Sequence, residues 1–292
     1  MIAISPRQLE VFSAIAGAGS VRAAADQLGL TQPAASMALA ELERLLGAPL
    51  FDRQRRRLSL NEHGRSLLPR ARDVVERMRE LGADARPGGE LSIGASNTVG
   101  NYLVGDLLGG FVAAHPQVRL RLRVANSEEI LAGIADLSLD VGCIEAPATH
   151  ADVQLLPWRR DELVVCVRSD HPLARRRRLR AEHLAGQRWI LRERGSGTRT
   201  VFEQASRDVL GALDVALELG QSEAITQAVI AGLGIACLPR VAIADAVAAG
   251  RLVPLRTPFL DLARELSLVV HRTRYRGVTL RAFLDSCAVG AT

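Results

Sequence analysis

Residues 20–47 constrain the fold of this chain more than any other segment, because their pattern predicts two helices joined by a tight turn. The alanines at 23–25 predict a first helix slim enough for a second to cross it closely, and Gly29 permits the left-handed backbone of a turn. Thr31 is expected to cap the second helix. Pro33 fits its first turn, because the N–H that proline lacks has no helical partner there.

The second helix of this segment is predicted to bury one face and expose another. The apolar positions of the buried face are Ala34, Ala35, Ala38, Leu42, Leu45 and Leu46. The exposed face carries Gln32, Ser36 and Met37. A helix that begins with short hydrogen-bonding side chains and buries its other face is suited to the major groove of DNA. Thr31, Gln32, Pro33 and Ser36 are therefore the expected contacts.

An arginine-rich segment follows these helices. Residues 52–64, DRQRRRLSLNEHG, have the pattern of a wing, with two short extended arms and arginines at or near the tip. Cations beside a helix-turn-helix neutralise DNA phosphates and fix the register of the protein on the duplex. We therefore expect Arg53, Arg55 and Arg56 to contact DNA, although such a cluster is more commonly a solvated surface.

A helical pattern resumes at residue 62 and continues to about residue 83. Its apolar residues recur alternately four and three positions apart, as in a coiled coil. We call these residues the dimer seam: Leu67, Ala71, Val74, Met78 and Leu81. Pro69 is expected to bend the helix or to end a short first segment. The helices and wing that precede this helix are not expected to cover a seam of this length. We therefore predict that the helix pairs with a second copy of the chain.

The chain changes character after residues 85–90, ARPGGE, whose proline and glycines predict a hinge. Beyond it, short apolar runs alternate with helical stretches, a pattern typical of α/β domains with mainly parallel sheets. The runs are 91–94, 118–124, 141–144, 163–167, 189–191, 215–219, 235–238 and 266–270. The region is long enough for two lobes.

Residues 5–86 resemble the winged helix-turn-helix head of the LysR-type transcriptional regulators. The motifs SIGASNTVGNYL, NSEEILAGIADLSLDVG, SDHPLA and SEAITQAVIAGLGIACLP resemble the effector-binding domain of the same family. The resemblance implies a head at 1–61, a dimerising linker helix at 62–84, a hinge at 85–90, and a two-lobed, periplasmic-binding-protein-like α/β domain at 91–292. Lobe I is expected to comprise about 91–161 and 267–292, and lobe II about 162–266.

Three loops of this domain are predicted to join the carboxyl end of a strand to the start of a helix, where free N–H groups attract anions. They carry Ser96, Asn97 and Thr98, then Ser127, then Ser196, Gly197 and Thr198. The resemblance implies that these loops bind a small anion or carboxylate. Each serine or threonine taken alone is better explained as an ordinary N-cap, but three such loops in one cleft favour a binding site.

Glu145 ends the predicted strand 141–144 and is expected to point into the same cleft. Its carboxylate would repel an anion unless Arg192, Arg194 or Arg199 neutralised it. Two interpretations stay open: an effector that also carries a positive group, or a glutamate that pairs with one of these arginines and touches no ligand.

The resemblance implies a regulator that binds double-stranded promoter DNA as a homodimer or homotetramer and responds to a small-molecule effector, with RNA polymerase as a candidate partner. Met37 departs from the family pattern, in which arginine is common at this position. The expected contribution to DNA affinity therefore shifts toward Arg53 and the wing.

Other functional classes fit the sequence less well. The cysteines, Cys143, Cys166, Cys237 and Cys287, lie in apolar runs or a helix and form no CxxC pair. Buried reduced thiols are expected, and a thiol-redox-responsive regulator is the alternative, which would need an exposed, activated cysteine. The six histidines show no metal spacing and no neighbouring nucleophile, so no catalysis, metal or cofactor is expected.

The sequence also predicts where the protein acts. No apolar run approaches the roughly 20 residues that a bilayer-spanning helix needs, and the first residues lack the pattern of a signal peptide. A cytoplasmic protein with no membrane partner is therefore expected. The net charge of +5 is compatible with a polyanionic partner.

Overall fold

The computed structural model describes residues 4–54, 57–82, 86–145 and 150–289. The head and linker comprise α1 (Pro6–Ala18), α2 (Val21–Leu28), α3 (Gln32–Leu46), β1 (Phe51–Gln54), β2 (Arg57–Leu60) and α4 (Glu62–Gly82). The first part of the effector-binding domain comprises β3 (Glu90–Ser96), α5 (Asn97–Tyr102), α6 (Val104–Ala114), β4 (Arg119–Ala125), α7 (Ser127–Ala135), β5 (Val141–Ile144) and β6 (Val153–Arg168). The remainder comprises α8 (Ala181–Leu184), β7 (Arg188–Arg192), α9 (Gly197–Leu210), β8 (Asp214–Leu219), α10 (Ser222–Ile230), β9 (Ala236–Pro239), α11 (Ala244–Ala248), β10 (Leu252–Pro254), β11 (Ala263–His271) and α12 (Val278–Val289).

Local capping defines the three helices of the head. Ser5 and Gln8 form a reciprocal capping box at the start of α1. The side chains of Ser20 and Thr31 each accept the backbone N–H three residues further on, at the starts of α2 and α3. Gly29 ends α2 with a φ of 64°, a backbone conformation that glycine adopts without a steric cost. The helix-turn-helix predicted from residues 20–47 is thereby confirmed.

The recognition helix α3 packs into the head through Ala35, Leu39 and Leu42. These residues are four and three positions apart, so they form one narrow stripe. The predicted buried face was too broad, because Ala34 and Leu46 are exposed. Leu39, which the prediction omitted, is buried.

The wing follows α3 as a two-stranded antiparallel hairpin in which Phe51 pairs with Leu60. The ring of Phe51 packs edge-on against that of Phe12, with 5.7 Å between centroids, and this contact attaches the hairpin to α1. Arg53 lies in β1, but its side chain lies outside the described part of the chain, as do Arg55 and Arg56.

The linker helix α4 runs continuously through Pro69. Leu68, Ala71 and Val75 are buried in the head core, and Leu67 packs partly against the same core. The prediction that the head leaves the dimer seam uncovered is therefore wrong for Ala71. The physical reason is that α1 packs against α4 and shares the head core with Leu68, Ala71 and Val75.

The second half of the dimer seam faces outward. Val74, Met78 and Leu81 are 43%, 45% and 87% exposed in the single chain. These three positions are four and three residues apart, so they form one exposed apolar stripe on α4.

The effector-binding domain is built on a seven-stranded mixed sheet with the order β10-β6-β11-β5-β3-β4, and β9 also pairs with β6. The expectation of mainly parallel sheets is wrong for this sheet. Only β3 pairs in parallel, with β4 and β5, while β11 and β6 are antiparallel to their neighbours. The difference arises because β6 is a long strand that runs through both halves of the domain: its first part pairs antiparallel with β11, and its last part pairs antiparallel with β9 and β10.

Separate hydrophobic cores support two lobes. One core contains Leu91, Phe111, Trp158 and Phe283, and another contains Trp189 with residues of β6, α9 and β9. In the second lobe β7 and β8 form a small parallel sheet. Among the described residues, no helix is both long enough and apolar enough to cross a membrane.

Candidate functional site

The exposed face of α3 is the candidate DNA-binding surface. Thr31, Gln32, Pro33 and Ser36 are all solvent-exposed at its N-terminal half, where free backbone N–H groups also lie. Met37 is 73% exposed beside them. None of these side chains is required for the head core, so the surface is free to contact another molecule.

The three predicted effector loops meet in one place. The backbone N–H of Glu128, in the loop region of Ser127, donates to the carbonyl of Gly195 over 3.2 Å. Glu145 links the loop of Thr98 to the loop of Thr198, because its carboxylate accepts the backbone N–H of Thr98 at 2.6 Å and the hydroxyl of Thr198 at 3.0 Å. Ser96, Asn97, Ser127, Ser196 and Gly197 are buried around this point. We call it the effector cleft.

Arg264 is the charged group at the centre of the effector cleft. Its Nη1 lies 3.2 Å from Glu145 Oε2 and donates to Thr198 Oγ1 over 3.0 Å, while Nη2 donates to Thr98 Oγ1 over 3.3 Å. Its Nε also donates to Asp161 Oδ2 over 2.7 Å. The side chains of Arg264 and Glu145 are each 2% exposed. This single guanidinium therefore connects the start of β11 to both lobes.

Glu145 pairs with Arg264 and with none of the arginines predicted for it. Arg192 forms a bidentate pair with the adjacent Glu193. Arg199 pairs with two other glutamates, and Arg194 is exposed. One signal in the sequence pointed to Arg264. It alternates with Leu266 and Leu268 along β11 and so lies on the same buried side of the strand, an unusual position for an arginine without a buried partner.

Glu145 is ionised in this environment despite its burial. Burial alone would raise the pKa of its carboxyl group, but the positive charge of Arg264 and the hydrogen bonds from Thr98 lower the pKa below its ordinary value. The carboxylate also accepts the backbone N–H of Thr98 in the first turn of α5, so it occupies a position where an external anion would otherwise be favourable.

Four polar side chains of the effector cleft lack partners among the described residues. They are the hydroxyls of Ser96, Ser127 and Ser196 and the side-chain oxygen of Asn97, each shielded from solvent. Ser96 and Ser196 stand at the N-cap positions of α5 and α9 but make no side-chain capping bond, and Asn126 rather than Ser127 caps α7. The interpretation of these serines as ordinary N-caps therefore has no support. Buried unpartnered hydroxyls are costly and call for another explanation.

The four cysteines are buried, in agreement with the sequence analysis. Burial raises the pKa of Cys143 and Cys237 well above the ordinary value, that of Cys166 to about 12 and that of Cys287 to about 11. Thiols that remain protonated react slowly with oxidants, so the thiol-redox alternative has no support here. Among the described residues, no cluster of His, Cys, Asp and Glu could hold a metal ion.

Two family models match this architecture. The model for the bacterial regulatory helix-turn-helix protein of the lysR family matches residues 6–65, and that for the LysR substrate binding domain matches residues 84–290. The chain belongs to the LysR family of transcriptional regulators. This LysR-family regulator therefore joins a DNA-binding head to an effector-binding domain, which confirms the family and the fold that the sequence predicted.

Known relatives resemble the regulator over most of its length. The HTH-type transcriptional regulator YeiE of Escherichia coli K12 is 42% identical over 285 residues, which cover 97% of each chain. The regulatory domain of CcmR from Synechocystis PCC6803, solved in complex with 2-PG, is 29% identical, covers 69% of this chain and 96% of that domain, and has a TM-score of 0.64. A full-length variant of OxyR from Pseudomonas aeruginosa has a TM-score of 0.80 and covers 98% and 95% of the two chains, a likeness of fold at 23% identity. Relatives of this LysR-family regulator are transcriptional regulators, in line with the expectation of a non-enzymatic chain.

Proposed function

We propose that the effector is a small molecule with an oxyanion or carboxylate group, bound in the effector cleft by the hydroxyls of Ser96, Thr98, Ser127, Ser196 and Thr198. The observation that carries this proposal is the pair of buried, unpartnered hydroxyls of Ser127 and Ser196, which come from α7 and from the N-cap of α9. Hydroxyl groups in these positions can donate to the oxygens of an anion. The complex of the CcmR regulatory domain with 2-PG supports a ligand in the corresponding domain.

The charge of the effector cleft limits which anions are suitable. Glu145 and Asp161 carry two negative charges and Arg264 one positive charge, so the cluster retains a net negative charge. A bare anion would be repelled by the remaining charge. We therefore propose that the effector also carries an N–H or O–H donor, or a positive group, directed at Glu145 or at the side-chain oxygen of Asn97.

A thermal-shift screen of the full chain tests this proposal. Inorganic oxyanions, simple carboxylates and amino acids are each titrated, and a ligand present at 100 times its Kd is expected to stabilise the fold by about 2.7 kcal/mol. The expected result is a raised Tm with at least one probe that combines an oxyanion and a donor. The shift should disappear in the S127A/S196A variant.

Ser206→Ala is the matched control for this screen. Ser206 is an equally buried serine on α9, but its hydroxyl donates to the carbonyl of Glu203 within the helix. The control should respond to the probe as the unmodified protein does. A probe that still stabilises S127A/S196A would place the ligand elsewhere and contradict the proposal.

For the head, we propose that α3 enters the major groove and that Gln32, Pro33 and Ser36 contact DNA, with Arg53, Arg55 and Arg56 of the wing on the backbone. We further propose that the exposed residues Val74, Met78 and Leu81 of α4 pair two copies. Assembly into a tetramer and contact with RNA polymerase extend this proposal to a regulator acting in the cytoplasm.

Met37→Arg is expected to tighten DNA binding. Met37 is the most exposed large apolar side chain on α3, and an arginine there would add one positive charge beside the proposed DNA contacts. We expect the slope of log K against log salt concentration to steepen by about one, which a fluorescence-anisotropy titration at several salt concentrations measures. Val112→Arg on α6 adds the same charge at an exposed position outside the head and should change nothing. An unchanged slope in the Met37 variant would show that this face of α3 does not approach DNA.

A further inference from the structure

Two buried ion pairs lie at opposite ends of the strand pair β5 and β11. At one end, Glu145 directly follows β5 and pairs with Arg264 near the start of β11. At the other end, Asp140 directly precedes β5 and pairs with Arg274, which follows β11, over 2.6 Å. The side chains of Arg274 and Asp140 are only 9% and 11% exposed. The same two strands therefore connect the effector cleft to a second, distant ion pair.

The strands between these pairs are closely packed, and β11 carries one register shift against β6, between Leu266 and Ser267. β5 is completely buried, and its residues Gly142 to Ile144 pair antiparallel with Val269 to Ser267 of β11. Gly142 packs so tightly that a methyl group there would lie 2.6 Å from Ile130 and 2.7 Å from Val269. Closely packed interiors transmit displacement rather than absorbing it. A shift of β11 at the effector cleft should thus appear at Arg274.

The loop that begins after β11 docks on the linker helix α4. The backbone N–H of Tyr275 donates to Asp73 over 3.1 Å, and its hydroxyl donates to Glu80 over 2.6 Å. The backbone N–H of Val278 also donates to Glu80 over 2.6 Å. The guanidinium of Arg77 lies 4.3 Å from the centre of the Tyr275 ring, at cation–π distance.

This contact uses a separate face of α4. Asp73, Glu76 and Glu80 are three and four residues apart and so share one side of the helix. That side is distinct from the stripe of Val74, Met78 and Leu81. Gly277 fits closely against it, because a methyl group there would overlap the carboxyl group of Glu76. The effector-binding domain can therefore dock on α4 without covering the exposed part of the dimer seam.

We propose that Arg274 is a positioning residue that transmits the state of the effector cleft to the linker helix, by setting how Tyr275 and Val278 dock on Asp73 and Glu80. Its Nε and Nη1 are buried without a partner among the described residues, so Asp140 is its principal anchor. A guanidinium held by one carboxylate follows the relative movement of β11 and β5. The proposal rests on the proposed function only in taking the effector as the natural cause of that movement.

Hydrogen exchange measured by mass spectrometry on the full chain tests the connection without any ligand. Glu145→Gln keeps the shape of the side chain and removes the ion pair with Arg264. We expect amides in residues 272–279 to exchange about two- to tenfold faster in this variant, the effect of weakening one hydrogen bond. Peptides from α1 should be unchanged. Glu162→Gln, at an exposed position on β6, is the control and should leave all these peptides as in the unmodified protein.

A double variant separates transmission from simple support of the fold. Arg274→Gln alone is expected to accelerate exchange in residues 272–279. If Arg274 carries the signal, adding Glu145→Gln to it should produce no further acceleration, whereas independent structural effects would add. Additive effects would overturn the proposal, as would unchanged exchange in Glu145→Gln or equal acceleration in α1. Because no effector is used, this result is independent of the ligand screen.

A reversible cross-link provides a second measurement. The proximity of Gly277 to Glu76 suits the cysteine pair E76C/G277C. With the disulfide formed, Glu145→Gln should no longer accelerate exchange in residues 272–279, and reduction should restore the effect. The native cysteines are buried and should not interfere. Acceleration that persists in the oxidised form would contradict the proposed route.

Discussion

Replacing Arg264 with glutamine is expected to lower the free energy of unfolding of the effector-binding domain by about 3 to 5 kcal/mol at neutral pH. The substitution leaves the carboxylates of Glu145 and Asp161 without their common cation in a site that is almost closed to solvent. Breaking a buried pair from one side costs more than breaking a surface pair, because the remaining charge has lost its solvation and its partner.

The expected loss depends on pH. In the unmodified protein the pKa of Glu145 is below its ordinary value, so its stabilising contribution is present above that ordinary value, about 4.3, and is lost as the pH falls through the lower value. Without Arg264, burial dominates and the pKa of Glu145 should rise instead. The variant should then be least stable relative to the unmodified protein at neutral pH, and the difference should shrink as the pH falls and Glu145 of the variant becomes protonated.

Denaturant unfolding followed by tryptophan fluorescence measures this effect. Both tryptophans, Trp158 and Trp189, are buried in the effector-binding domain, one in each lobe. R240Q is the matched control, because Arg240 pairs with Glu162 at the surface, where an ion pair contributes at most about 1 kcal/mol. Adding Glu145→Gln to R264Q should recover part of the loss. Equal losses for R264Q and R240Q would contradict the assignment of Arg264 as the central cation.

The variant M78E/L81E is expected to lose dimerisation and with it about 100-fold or more in affinity for an operator with two half-sites. Met78 and Leu81 belong to the exposed part of the dimer seam, and carboxylates there would face their own copies across a two-fold interface. A monomer binds each half-site alone and forfeits the high effective concentration of the second head.

Analytical ultracentrifugation and a DNA-binding titration check the two parts of this result. Ser66→Glu is the control, since Ser66 is exposed on the same helix outside the seam. It should leave the protein dimeric and DNA-binding. A dimeric M78E/L81E protein would show that another surface joins the copies, and full operator affinity in a monomeric variant would show that two heads are unnecessary.

Much of the head could be predicted because its determinants are local. Ser20, Thr31, Pro33 and the glycines at the helix ends act on backbone groups only a few residues away, so their effects can be inferred from spacing alone. The errors in the head concern which residues of each apolar stripe are buried. Periodicity identified an apolar stripe on α4 but could not show that α1 covers Ala71 and leaves Met78 exposed, because that depends on where another helix packs.

The limit of what the sequence can predict is clearer in the effector-binding domain. The strand–loop–helix order placed Ser96, Ser127 and Thr198 in one predicted cleft, since loops at the carboxyl ends of strands in α/β domains line the crevice where ligands bind. The direction of β6 and β11 was missed, because an apolar run does not reveal whether its neighbour is parallel. The arginine that neutralises Glu145 was misassigned to positions 192, 194 and 199, which flank the loop of Ser196.

The sequence by itself determined the family, the helix-turn-helix of residues 20–47, the exposed face of its recognition helix and the three polar loops. Only the tertiary structure decided that Glu145 meets Arg264, 119 positions away, and that Arg274 meets Asp140 beside the linker helix. The reason is physical. Caps and turns are satisfied by the adjacent backbone, whereas a buried charge is tolerated only beside a partner that the folded path of the chain brings to it.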